Sequence, residues 1–163
     1  MFDTFGEFDS AAEINEAAAN QLNAGDTEAV RQIAKENGLD PEDAEDYIAG
    51  CVKELCNPVM AAFGKIKVES EEIKTKEIVD DWINYIKSRC MEDENMAIAV
   101  RAKGKSIKGC IAALLKWSYE NMYEIDKDIC KAAGVPGNVK LGIPGMETAF
   151  KIITEYYMGG GKR

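Results

Sequence analysis

"SIKGCIAALLKWSYENM", residues 106–122, is the stretch whose reading decides the fold. Ile107, Cys110, Ile111, Leu114, Leu115 and Met122 recur at three- and four-residue spacing, the strongest helical periodicity in the chain. The spacing predicts a central helix from Ser106 to Met122, the most buried element of an all-α protein.

The residues just before it raise a different question. "RAKGKSIKGC" (101–110) carries the Gly104-Lys105-Ser106 triplet that closes a nucleotide-binding phosphate loop. That signature needs a glycine five residues earlier, where this chain has Ala99, and a strand in front, where "DENMAIAVRAKG" reads as a helix ending at Gly104. No nucleotide site is expected. Lys103, Lys105 and Lys108 nevertheless cluster at a helix start, where cations oppose the helix dipole, so local stability does not account for them. With Arg101 and Ser106 they make a candidate anion or nucleic-acid site, since lysines beside open helix N–H groups suit a phosphate. The competing reading is a solvated basic face paired with acids elsewhere in the chain.

Helix signals continue outward in both directions. Ser10 with Glu13 forms a capping box before "AAEINEAAANQLNAG", Asp26 or Thr27 caps "EAVRQIAKENG", and Asp40-Pro41 opens a third helix closed by Gly50. Asn57-Pro58 opens "VMAAFGKIKVESEEIK", within which the alternation of "KIKVE" (residues 65–69) leaves room for a minor β piece. Thr75 is placed to cap the segment whose Ile78, Val79, Trp82, Ile83, Ile86 and Cys90 form an apolar stripe. A short helix over "DKDICKAAG", a Pro/Gly-punctuated loop and a last helix burying Ala149, Phe150, Ile153 and Tyr157 follow; the ending "GGGKR" should fray. The expected architecture is a compact bundle of roughly six to eight short helices. Its expected organisation is an acidic N-terminal helical module over residues 1–56 and a helical main domain over 57–163 with a basic C-terminal half.

Composition narrows the chemistry. With no histidine in 163 residues, the commonest general base, every Ser-His or Cys-His arrangement and the usual nitrogen ligand for zinc are missing. Cys51 and Cys56 lack a second pair at ligand spacing, and "DPEDAEDYIAG" puts Glu45 where a calcium loop needs glycine. No enzyme activity, metal or cofactor is therefore expected. The odd count of five cysteines suits buried thiols in a reducing compartment, and no apolar run is long enough to cross a membrane. Those features predict a cytoplasmic protein without membrane association.

Charge is polarised along the chain. Residues 1–60 carry fourteen acids against three bases, a net −11, while residues 101–163 are net +5 within an overall −9. Asp40, Glu42, Asp43, Glu45 and Asp46 are the densest acidic array and the candidate partner-binding residues. They read either as a dipole-favoured, solvated helix start or as a phosphate-like array offered to a basic groove, as in DNA mimicry.

Three blocks carry a resemblance. "MFDTFGEFDSAAEINEAAANQLNAGDTEAV", "KGKSIKGCIAALLKWS" and "VKLGIPGMETAFKIITEYY" resemble phage and mobile-element proteins of gut Firmicutes grouped with type II-A anti-CRISPR inhibitors of the RNA-guided effector nuclease. The "KSIKGC" core is also similar to the PcfK-like proteins of conjugative plasmids. The resemblance implies a small non-enzymatic protein of the bacterial host's cytoplasm that binds the type II CRISPR effector nuclease with its guide RNA and blocks recognition or cleavage of target DNA. It carries over no residue set; the charged clusters above come from electrostatics alone. A nucleic-acid-binding accessory of a phage or conjugative element, gripping DNA or RNA phosphates, is the competing expectation. A helical adaptor that oligomerises through an apolar face is the third, and a homodimer is one form the protein could take.

Overall fold

The computed structural model describes residues 3–159. Among these, nine helices and one two-stranded sheet follow in the order α1 (Ala11–Asn23), α2 (Thr27–Glu36), α3 (Pro41–Ile48), α4 (Pro58–Ile73), α5 (Ile78–Glu92), α6 (Glu94–Arg101), α7 (Ile107–Glu120), β1 (Tyr123–Glu124), α8 (Lys127–Ala133), β2 (Lys140–Leu141) and α9 (Met146–Met158). The fold is mostly α-helical. Its β piece is the antiparallel pair β1–β2, in which Tyr123 faces Leu141 and Glu124 faces Lys140. Residues 65–69, where alternation left room for a strand, lie inside α4 instead. From Gly160 onward, the ending expected to fray falls outside the described residues.

The caps form largely where the sequence places them. Ser10 Oγ accepts from the Glu13 amide, and Glu13 reaches back to the Asp9 amide rather than to that of Ser10. Asp26, Asp40 and Asn57 each accept a first-turn amide, from Ala29, Glu42 and Met60. Thr75 does not cap α5. Its hydroxyl donates to Asp80, and the position before the helix is Glu77, which makes no side-chain cap.

The chain divides into two compact units, one up to Lys108 and one from Gly109. The boundary expected at 56/57 falls inside the first unit, because the acidity of residues 1–56 is a surface property while their apolar stripes are buried. Ile14, Ala18, Val30, Ile33, Leu39 and Tyr47 share one core with Cys56 and Ala61, and Asn15 exchanges two hydrogen bonds with the Cys56 backbone at 2.8 and 3.0 Å. Within this unit α1 packs on α2, α2 on α3, α4 on α5 and α6, and α5 on α6.

The helix that buries most residues is α4, with six, not α7, with three. Ala61, Ala62, Gly64, Lys65, Ile66 and Glu69 of α4 are all buried. Two glycines make this enclosure: a Cβ on Gly64 would stand 2.0 Å from the Asn37 carbonyl oxygen, and one on Gly38 2.3 Å from that of Gly64. The chain leaving α2 thus crosses α4 at backbone contact. On α7, Ile107, Cys110 and Leu114 are buried and Ile111 half-buried, but Leu115 is 66% exposed and Met122, beyond the helix end, 47%. Leu114 and Leu115 stand about 100° apart on a helix, so one narrow face does not bury both.

In the second unit, Ala149, Ile153 and Tyr157 line the buried side of α9 while Phe150 is half-buried. Gly142 lies against the Ser118 carbonyl, 2.2 Å from where its Cβ would stand, which seats the loop before α9 on α7.

Candidate functional site

The two charged clusters read from the sequence fare differently. Arg101 is 1% exposed, and its Nη2 donates to Asn37 Oδ1 at 2.6 Å. It holds α6 to the end of α2 and is therefore removed from the surface anion site. Burial pulls its pKa down, with Glu7 the largest opposing charge. Lys103 turns toward the N-terminal segment: its amide donates to Asp9 Oδ1 at 2.6 Å, and its Nζ lies 3.9 Å from Glu13 Oε2. Lys105 and Ser106 are half-buried and Lys108 is exposed.

Two residues of α4, one helical turn apart, fix this loop from beneath. Lys65 Nζ donates to Glu7 Oε1 at 2.8 Å, to the Ala102 carbonyl at 2.9 Å and to the Arg101 carbonyl at 3.2 Å. All three ammonium protons are used, two of them on carbonyls at the C-terminus of α6, where positive charge is favoured. Glu69 accepts from the Ile107 amide at 2.6 Å and so closes the N-terminus of α7 with a carboxylate. Burial raises its pKa, while the Ile107 amide and the Lys65 charge pull the other way. The turn that resembles a phosphate loop is thus held by internal ions.

The N-terminal segment is fixed in the same way. Thr4 and Phe5 donate their amides to the buried Glu36 at 3.0 and 3.2 Å. Burial alone would raise the Glu36 pKa; with Gln32, Phe5 and Thr4 donating to it, the carboxyl is held below its ordinary value.

The acidic array stays at the surface. Asp40, Glu42, Glu45 and Asp46 are exposed and Asp43 is half-buried, all in or beside the first turns of α3. Asp40 is engaged as the N-cap. Glu45 takes a two-pronged contact from Arg31, at 2.6 Å to Nε and 3.1 Å to Nη2, which lowers the carboxyl pKa. Of the five predicted residues Asp40 and Glu45 are thus committed within the chain. Among the described residues no ion pair engages Glu42, Asp43 or Asp46.

The surface around α3 is concave. A cleft of 260 Å3 is lined by Asp43, Asp46, Glu54, Val52, Leu55 and Met60 among others. A second, of 380 Å3, includes Leu39, Asp40, Asp43, Met60 and Phe63, with Lys67 and Lys87. Sequence reasoning placed none of Glu54, Met60 and Phe63 at a site: Met60 and Phe63 read as part of an apolar helical stripe and Glu54 as one of the fourteen acids of residues 1–60. It also missed Lys65 and Glu69, an i, i+4 pair of opposite charge hidden in the "KIKVE" alternation.

Among the described residues no three His, Cys, Asp or Glu side chains are grouped to hold a metal ion, and no helix is long and apolar enough to cross a membrane. A scan against protein-family models, a search of curated proteins and a search of solved structures each gave no significant match.

Proposed function

We propose that this chain is a non-enzymatic inhibitor that binds the guide-RNA-loaded type II CRISPR effector nuclease through the acidic face of α3 and blocks recognition or cleavage of target DNA. The resemblance of its sequence blocks supplies the partner. The observation that carries the choice of surface is the sorting of the two charged clusters. Arg101 is buried, and Lys103 is tied through its amide to Asp9 with its ammonium 3.9 Å from Glu13, whereas the exposed Asp46 and half-buried Asp43 lie outside any ion pair of the described residues. Carboxylates at a helix start complement the strongly positive channels in which such a nuclease holds its nucleic acids.

The test is capture of the full chain on purified nuclease with and without guide RNA, followed by a DNA-cleavage assay. Capture by the guide-loaded form together with suppressed cleavage supports the reading. Affinity for DNA or RNA alone, falling steeply with salt, with no capture by the nuclease, would favour the accessory nucleic-acid-binding role.

A further inference from the structure

The two clefts beside α3 adjoin at Asp43 and Met60, which line both. One is lined by three acidic residues, Asp43, Asp46 and Glu54, together with Val52, Met60 and the buried Leu55, and no basic residue is in its lining. The other is lined by Met60, Phe63 and the buried Leu39, with Lys67 and Lys87 contributing to its wall. Among the described residues no ion pair engages the three carboxylates. The field of two of them reaches inward: burial pushes the Cys56 thiol up to about 12, and, against the opposing charge of Arg101, Glu54 and Asp43 add to the rise.

We propose that these adjoining clefts dock a protein segment presenting one arginine beside an apolar side chain, with the arginine at the three-carboxylate end and the apolar residue on Met60 and Phe63. An arginine has the matching parts. Its aliphatic stem lies on Val52 and Met60 while its planar guanidinium reaches more than one carboxylate at once. Lys67 and Lys87 disfavour a second cation at the other end, so the groove selects a single basic residue followed by an apolar one. A polyphosphate chain is rejected by the sign of the acidic end, and mimicry of DNA by charge alone needs no apolar floor. The inference deepens the reading above and rests on it for the statement that this face meets the nuclease.

The experiment is a nuclear magnetic resonance titration of the 15N-labelled full chain with the acetylated, amidated peptide Gly-Arg-Leu-Gly and with its citrulline counterpart, which keeps the shape and removes the charge. Amide shifts confined to Asp43, Asp46, Glu54, Met60 and Phe63, with affinity falling roughly tenfold or more for citrulline, are expected. Shifts elsewhere, equal shifts with both peptides, or none at millimolar peptide overturn the proposal. Nuclease assays of Glu54→Gln and Met60→Ala separate it from the functional reading. Full inhibition by both, alongside loss in Asp43→Lys/Asp46→Lys, removes the groove and leaves the functional reading standing. Arginine-selective shifts in the groove of a chain that does not inhibit the nuclease do the reverse.

Discussion

Lys65 Nζ lies 2.9 Å from the carbonyl oxygen of Ala102, so that a lysine in the middle of α4, 1% exposed, closes the C-terminus of α6. The same ammonium binds Glu7, and Glu69 one turn along closes the start of α7. The acidic N-terminal segment and the basic loop after α6 are thus tied together inside the fold. Part of the charge polarity of the sequence is internal pairing, while most acids of α3 and lysines such as Lys108 and Lys116 stay exposed.

Lys65→Met removes the cation shared by Glu7 and Glu69 and leaves two carbonyls without their donor. It should cost about 3–5 kcal/mol, as removal of one partner from a buried ion pair does. Lys67→Met, exposed two residues away, should stay within about 0.5 kcal/mol. Urea denaturation of the two variants checks this; equal midpoints would remove the structural role assigned to Lys65.

The crossing of α4 by the chain after α2 makes Gly64→Ala a backbone collision with Asn37 rather than a gain in helix propensity. The substitution should destabilise by at least about 1–3 kcal/mol. At Gly137 a Cβ meets nothing within 4 Å, so Gly137→Ala should be nearly neutral. Thermal melts of both variants decide it, and a Gly64→Ala melt at or above that of the unsubstituted chain contradicts the crossing.

On α7, Leu114→Ala should cost about 2–5 kcal/mol and Leu115→Ala far less, because Leu114 is 0% exposed and Leu115 66%. Denaturation midpoints of the pair test the facing of this helix, and a larger loss at Leu115 would reverse it.

Glu69 and Glu36 should give opposite pH dependences. The Glu69 pKa is raised in the fold by burial, so its stabilising contribution is complete below the unfolded value near 4.5 and is lost as pH rises through the folded value. Burial of Glu36 is more than offset by Gln32, Phe5 and Thr4, so its lowered pKa gives a contribution present above 4.5 and lost as pH falls through the folded value. Relative to the unsubstituted chain, Glu69→Gln should therefore gain stability between about pH 4 and 7, and Glu36→Gln should lose it. Tm measured at both pH values is the readout; parallel behaviour of the two variants would contradict the assignment.

Much of the helical framework was legible from side-chain chemistry that acts locally. Ser10, Asp26, Asp40 and Asn57 cap helices because a short polar side chain reaches the amides of its own first turn. The centre of the fold was not legible. α4 is enclosed through Gly38 and Gly64, small residues with no periodic signature, and through Lys65 and Glu69, whose burial depends on partners up to 58 residues away. For the same reason Arg101 read as a surface cation: nothing near it in sequence announces Asn37. The acidic array was visible as composition. The groove beside it was not, because it forms only when the segment at Val52–Met60 folds against α3.

The claim that the acidic face of α3 carries the function is tested most directly by DNA cleavage with the guide-loaded nuclease, comparing Asp43→Lys/Asp46→Lys with Lys105→Glu/Lys108→Glu. Neither acid is held in an ion pair among the described residues, and circular dichroism should show the first variant as helical as the parent. Glu45 is left unchanged because its contact with Arg31 belongs to the fold. The account predicts that the acid reversal abolishes inhibition and the lysine reversal has a lesser effect. Inhibition that survives the acid reversal and disappears with the lysine reversal would contradict it.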